Sequence, residues 1–98
     1  MSDSPITVVA RVLCRPEKIG EMRQLLADVA QRSRQESGCL GYSVLRGREE
    51  PHEVITVEIW KDQAAIDAHM ASAHVGELFA RVPGLVASAP EIRTYAAV

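Results

Sequence analysis

The stretch of residues 58–74 reads EIWKDQAAIDAHMASAH and contains a change from strand-like to helix-like spacing of apolar residues. Its first three residues complete the segment 54–60, VITVEIW, which is rich in β-branched residues and is typical of a strand. At Asp62, a residue type favoured at helix N-caps, the spacing of apolar residues changes to the three- and four-residue steps of a helix. The pattern therefore predicts a strand that leads directly into a helix.

This helix is predicted to be broken, and the break brings two histidines together. His69 falls at helical spacing with the apolar positions, so we expect it on or beside the buried face. Ser72 can cap a second helical piece, which places His74 in its first turn. The only tryptophan, Trp60, ends the preceding strand. Two imidazoles and an indole are thus expected where a strand meets a broken helix.

The rest of the chain supplies one more helix and three more strands. Ile19, Met22, Leu25, Leu26 and Val29 recur at helical spacing after Pro16, which predicts an amphipathic helix. The predicted elements, in order, are strand 6–14, a helix from near Pro16 to near Ser37, strand 39–45, strand 54–60, the broken helix after Asp62, and strand 91–98. This order is the ferredoxin-like βαββαβ plan, an α+β fold with a four-stranded antiparallel sheet.

Two glycines are expected to shape the entry to the second strand. Gly38 is placed to take the left-handed conformation that often ends a helix. Gly41 interrupts the strand and predicts a bulge or a close approach of backbone.

The face of the sheet away from the helices is predicted to be apolar. Thr7, Val9 and Leu13 alternate with the residues of strand 6–14 that face the core. An exposed apolar sheet is a candidate partner surface, and the weakly charged strand 91–98 would leave a poorly guarded edge. We therefore expect a homodimer whose sheets meet face to face and exchange their C-terminal segments.

Composition narrows the functional class. The 98 residues suit a single domain, and 47% hydrophobic with 24% charged residues is ordinary for a globular protein. A net charge of −2 without a basic run argues against a nucleic-acid partner, and no apolar run approaches the length of a membrane span. No secretory leader is recognisable, so we interpret Cys14 and Cys39 as reduced thiols and expect a cytoplasmic protein.

The sequence resembles the antibiotic biosynthesis monooxygenase family of dimeric α+β barrels, over about residues 6–96. The resemblance rests on 36-ESGCLGY-42, similar to the family's Glu-Pro-Gly-Cys turn, on 58-EIW-60 and on 69-HMASAH-74. Ser37 stands where the family often has proline. The resemblance implies one of several activities: oxygenation of aromatic polyketides or quinols without a cofactor, haem degradation, or isomerisation of a phosphorylated autoinducer sugar.

Within that family, the histidine pair resembles the quinol and autoinducer-processing branches. By alignment, the residues that haem-degrading members need would fall near Ala10, His69 and Phe79, and these residue types do not suit haem. We expect no cofactor, because a deprotonated quinol or enol can itself reduce dioxygen. We also expect no metal, since His69 and His74 are five residues apart across a helix break and no third ligand is evident.

The candidate site residues are two acid–base groups and four that shape the pocket or bind a small aromatic substrate. His69 and His74 are the catalytic candidates, and the substrate-binding candidates are Trp60, Tyr42, Arg93 and Phe79. Glu58 shares the sheet face of Trp60, and we expect Arg11 or Arg93 to neutralise it. Trp60 could wall a pocket or fill a dimer interface, and we favour a structural role.

Three functions remain open from the sequence. The first is a monooxygenase acting on a quinol or related aromatic with dioxygen. The second is an isomerase of a small phosphorylated or oxygenated metabolite, for which Arg11, Arg46 or Arg93 would hold the anion. The third is a non-catalytic ligand-binding dimer.

Overall fold

The structure is a computed structural model and describes residues 4–98. Its strands are β1 (Ile6–Leu13), β2 (Cys39–Arg46), β3 (Glu53–Trp60) and β4 (Glu91–Ala96), and its helices are α1 (Ile19–Ser33), α2 (Gln63–Met70) and α3 (Ala73–Arg81). Short 3₁₀ turns at Pro16–Lys18 and Val82–Gly84 precede α1 and follow α3. The strands form one antiparallel sheet in the order β2-β3-β1-β4, which confirms the predicted ferredoxin-like α+β fold.

The core lies between one face of this sheet and the helices. Alternation along β1 buries Val8 and Val12, which belong to two clusters completed by Leu25, Leu26 and Val29 of α1. Of the three histidines, only His69 is buried. The helices of residues 4–98 include none that is long and apolar enough to cross a membrane.

Both predicted helix caps are confirmed: Asp62 begins α2, and Ser72 begins α3 directly after the break. The Asp62 carboxylate accepts a hydrogen bond from the Ala65 backbone N–H at 2.9 Å, and Ser72 Oγ accepts from the Val75 N–H at 3.4 Å. The Gly41 bulge is also confirmed, because the β2–β3 register shifts between Cys39 and Gly41.

The predicted end of the first helix is wrong. α1 stops at Ser33, and the chain leaves it through tight turns in which the Glu36 N–H donates to the Ser33 carbonyl at 3.0 Å. The Arg34 guanidinium then donates two hydrogen bonds, of 3.0 and 2.8 Å, to the Tyr42 carbonyl and so ties the turn to β2. No glycine in residues 4–98 has a positive φ, so Gly38 does not form a left-handed stop.

Gly38 is instead required by a close approach to α2. A Cβ at this position would lie 2.3 Å from Ala65 Cβ, inside any permitted contact. The missing side chain therefore lets α2 lie directly against the turn that carries Glu36. The Lys61 N–H donates to the Gly38 carbonyl at 2.9 Å and holds the two segments together.

We predict that Gly38→Ala lowers the free energy of unfolding by about 1–3 kcal/mol, because the new methyl group forces α2 away from the turn. Urea denaturation followed by far-UV circular dichroism measures the change. Gly76→Ala is the matched control: nothing lies within 4 Å of its added Cβ, so it should be neutral or stabilising by up to about 1 kcal/mol. Equal stability of the two variants would contradict the proposed close packing.

Candidate active site

A cavity of about 80 Å³ lies between the sheet and the helices, and one end of it is polar. Apolar side chains of β1, α1, α3 and β4 line most of it. The polar end consists of Tyr42, Thr56, Glu58 and His69. The opening lies beside the exposed side chains of Met70, Phe79 and Ile92. The volume is about half of the roughly 150 Å³ apolar cavity that accommodates benzene in another protein, so one edge of an aromatic ring would remain at the opening.

Glu58 is the buried acid at the polar end, and its own strand supplies the donors it needs. Trp60 Nε1 donates to one carboxylate oxygen at 3.0 Å, and Thr56 Oγ1 donates to the other at 2.8 Å. These donors lie two residues to either side, so they share its face of β3. Two donated hydrogen bonds compensate a carboxylate for much of the water it loses on burial.

The predicted partners of Glu58 are wrong, because both arginines lie on the other face of the sheet. Arg11 pairs with Glu53 and Glu91. Arg93 lies opposite Val9 in the β1–β4 register, on the face that no helix covers, and is exposed. Arg93, a predicted substrate-binding residue, therefore does not reach the cavity.

His69 is the histidine that meets the cavity. Its Nδ1 lies 2.8 Å from Glu36 Oε2, while its Nε2 is directed towards Glu58, at 3.8 Å from Oε1. An ionised carboxylate only accepts hydrogen bonds, so Nδ1 carries the proton that joins it to Glu36. Since 3.8 Å is too long for a hydrogen bond, Nε2 has no hydrogen-bond partner among the described residues and faces the polar end of the cavity.

His74 does not lie beside the cavity, although the sequence pairs it with His69 as a catalytic candidate. It lies in the first turn of α3, as predicted, but it does not line the cavity. Its Nε2 is 2.9 Å from the same Glu36 oxygen that binds His69 and 3.3 Å from Ser72 Oγ. The structure therefore places His69 beside the cavity and His74 behind it, with one carboxylate between them.

Trp60 is fully buried and lies behind the cavity wall, so it fills the core and not a dimer interface. Its ring centroid is 4.3 Å from that of His69, with the planes tilted by 37°. The edge of Tyr42 meets the indole at 6.5 Å in a T-shaped arrangement. The indole thus supports His69 by stacking and Glu58 by hydrogen bonding, and it does not contact a ligand in the cavity.

Tyr42 and Phe79, two of the predicted substrate-binding residues, do line the cavity. Tyr42 is buried, and burial together with the neighbouring Glu58 carboxylate raises the pKa of its phenol well above the ordinary value. Tyr42 therefore remains a protonated donor at neutral pH. Phe79 is 41% exposed and forms part of the opening.

Glu36 and Thr56 are the site residues that sequence reasoning missed. Glu36 belongs to the ESGC turn, but its distance from both histidines along the chain left it without a partner. Thr56 could have been found, because residues two apart in a strand share a face and a buried acid requires donors.

Glu36, His69 and His74 also form the one cluster in residues 4–98 with metal-ligand chemistry. Their ligand atoms lie within 4.8 Å of one another, which supplies the third ligand that was not evident from the sequence. The two imidazole nitrogens, however, already lie at hydrogen-bond distance from a single oxygen. The three groups therefore satisfy one another as a His–Glu–His hydrogen-bonded chain.

The profile of the antibiotic biosynthesis monooxygenase family matches residues 5–81. This chain belongs to that family. At family level, membership supports a monooxygenase-like function.

Related proteins agree with this assignment. The chain is 31% identical over 94 residues to Rv0793 of Mycobacterium tuberculosis, whose name proposes a monooxygenase, and the match covers 89% of this chain and 92% of that protein. The solved structure of Rv0793 superposes with a TM-score of 0.92, at 27% identity, over 97% of this chain and 96% of that one. A structure named antibiotic biosynthesis monooxygenase gives a TM-score of 0.89 at 27% identity, over 95% and 98% of the two chains.

A Synechocystis protein of uncharacterised function, sll1783, is 31% identical over 94 residues, which is 96% of this chain. The chain spans 64% of the length of that relative.

We predict that Trp60→Ala lowers the free energy of unfolding by about 3–5 kcal/mol, because the ring is fully buried and donates a hydrogen bond to Glu58. Phe79→Ala is the control, because Phe79 is partly exposed at the opening of the cavity, and it should lower the free energy of unfolding much less. Urea denaturation of both variants measures the difference. Equal losses would show that the indole is not the structural support that its burial indicates.

Proposed function

We propose that the protein is a cofactor-independent monooxygenase that acts on a neutral hydroxylated aromatic such as a quinol. The observation that carries this proposal is the free Nε2 of His69 at the polar end of an apolar cavity, with Nδ1 bound to Glu36. A neutral imidazole in this position can take the proton of a phenol or an enol. Family membership supports the reaction class.

The reaction needs no external reductant, because the substrate supplies the electrons. His69 Nε2 removes a hydroxyl proton, and the resulting anion reduces dioxygen. One oxygen atom enters the ring and the other leaves as water, so that hydroquinone and dioxygen give a hydroxyquinone and water. The four electrons come from the substrate, and the proton held on His69 returns to the departing oxygen.

The other groups of the polar end suit this sequence of steps. The Tyr42 phenol, kept protonated by burial, can donate a hydrogen bond to the developing oxyanion. Glu36 and Glu58, on opposite sides of the ring, would stabilise the transient imidazolium of His69. The apolar walls would exclude water from the reactive anion.

The charge of the cavity argues against the isomerase of a phosphorylated metabolite. A phosphate requires cationic donors, but the described lining residues include neither arginine nor lysine and do include Glu58. The arginines considered as an anion clamp lie elsewhere: Arg11 and Arg93 are on the other sheet face, and Arg46 borders a surface depression. A neutral substrate is therefore favoured.

We also propose that the protein is a homodimer formed through the sheet face that no helix covers. Val9, Ile55 and Val57 are only half-buried there, and Leu45, Ile59 and Tyr95 are exposed. An apolar surface across all four strands favours a self-complementary interface. β4 is an edge strand whose residues are all exposed, which supports exchange of C-terminal segments.

The free thiols of Cys14 and Cys39 suit the cytoplasm.

We predict that His69→Asn reduces oxygen consumption with hydroquinones at least about 100-fold, because the general base is lost. The measurement is dioxygen uptake by metal-stripped protein across a panel of hydroquinones and polycyclic phenols, against an uncatalysed control. His52→Asn, in the turn between β2 and β3, is the matched control and should retain full activity. Full activity of His69→Asn would remove His69 from the mechanism. If the wild-type protein bound hydroquinones saturably but consumed no dioxygen, the ligand-binding alternative would be favoured.

We predict that Leu45→Lys converts the dimer to a monomer, because it places a charge on the uncovered sheet face without disturbing the core. Light scattering on the eluting protein at micromolar concentration measures the mass. Gln24→Lys adds the same charge to the exposed side of α1 and should leave the dimer intact. A wild-type protein that elutes as a monomer would refute the interface.

A further inference from the structure

The two histidines that the sequence presents as a pair have one shared partner and unequal access to the cavity. His69 Nδ1 and His74 Nε2 lie 2.8 and 2.9 Å from the same oxygen of Glu36. Glu36 and His74 do not line the cavity, whereas His69 does. Any contribution of Glu36 and His74 to chemistry in the cavity must therefore act through the ring of His69.

Glu36 has no competing partner among the described residues. Its salt-bridge partners are His69 and His74, and neither arginine nor lysine lies within ion-pair distance. The side chain is 19% exposed and borders an open surface depression beside Lys61 and Asp62. Both close contacts of the Glu36 carboxylate are therefore with imidazole nitrogens, for which it can serve as the acceptor.

The contact with Glu36 determines which nitrogen of His69 holds the proton, because a carboxylate oxygen serves as an acceptor there. An acceptor at Nδ1 fixes the Nδ1–H tautomer and leaves the Nε2 lone pair for the cavity. The opposite tautomer would place the Nε2 proton towards Glu58 and leave two acceptors in contact at Nδ1. A ring held this way is ready to accept a proton at Nε2 without first reorienting.

Local structure supports the same orientation from two further sides. Ser72 Oγ donates to the His69 carbonyl at 2.6 Å and so fixes the end of α2. Trp60 stacks on the ring and limits its rotation. His74 contributes the second donor to Glu36 and holds the carboxylate oxygen in place between the two rings.

We propose that Glu36 and His74 are positioning residues, which hold His69 in its Nδ1–H tautomer so that Nε2 acts as the base of the cavity. This inference rests on the proposed function for its role in turnover. In the step itself, the substrate O–H bond breaks, the Nε2–H bond forms, and the Nδ1 proton stays in its hydrogen bond to Glu36. The Nε2 proton then passes to the reduced oxygen as water forms, which restores the starting tautomer.

The experiment compares Glu36→Leu, Glu36→Asp and His74→Asn with the wild-type protein. Leucine offers Nδ1 no acceptor, so Glu58 on the Nε2 side of the ring is the remaining acceptor and favours the wrong tautomer. We expect kcat to fall by about 10²–10⁴-fold in Glu36→Leu, the range of general-base catalysis, while KM changes less than threefold because Glu36 does not contact the cavity. Glu36→Asp should recover part of kcat, and His74→Asn should lose about tenfold. Glu77→Gln, on the exposed side of α3, is the matched control and should keep wild-type kcat and KM.

Nitrogen NMR of the histidine rings tests the tautomer without any substrate. Wild-type His69 should show a protonated Nδ1 and a bare Nε2, and Glu36→Leu, which offers Nδ1 no acceptor, should shift the proton towards Nε2. A wild-type ring protonated at Nε2, or an unaltered spectrum in the folded Glu36→Leu variant, would overturn the proposal. If the spectra change as expected but no hydroquinone is oxidised, the positioning stands and the oxygenase function fails. If Glu36→Leu oxidises substrate at the wild-type rate, the positioning fails and the oxygenase function stands.

Discussion

The buried carboxylate of Glu58 is the constraint around which the site is arranged. A carboxylate that is removed from water costs several kcal/mol unless donors replace the lost hydration. β3 meets most of this requirement itself, because Thr56 and Trp60 lie on the same face two residues away. The indole N–H is thereby committed to Glu58, which places the ring in the core and under His69. The hydrogen bond to Glu58 thus holds the Trp60 ring in place, and that ring packs against one side of the His69 ring.

The second carboxylate, that of Glu36, links the turn after α1 to the broken helix. Glu36 lies in the turn after α1, and it reaches both histidines only because Gly38 lets α2 approach that turn. The caps at Asp62 and Ser72 set the ends of α2 and α3, so the two imidazoles arrive on the same oxygen. Backbone geometry at a glycine and two caps therefore decides which nitrogen of His69 faces the cavity.

The same arrangement gives the two sheet faces different chemical character. The helix-covered face carries the acids and the histidine at the end of an apolar cavity. The uncovered face carries apolar side chains and the Arg11 ion pairs with Glu53 and Glu91. Because side chains alternate along each strand, a substrate and a partner subunit can be bound on opposite sides of a single sheet.

The strands and helices of this protein could be predicted from the sequence, because they depend on local patterns. Apolar periodicity indicates the four strands and the helices, Asp62 and Ser72 indicate where α2 and α3 begin, and Gly41 indicates the bulge. The position of His69 on the buried face follows from the same periodicity.

The contacts between polar groups could not be predicted in the same way, because they join residues that are distant in the sequence. Glu36 and His69 are 33 residues apart, and their contact depends on a packing distance that no local pattern encodes. For the same reason Glu58 was assigned the wrong partners, since the covered face of β3 supplies donors that are nearer than any arginine. The sequence identified the histidine pair, but the packing of α2 and α3 against the Glu36 turn gave its two members different positions.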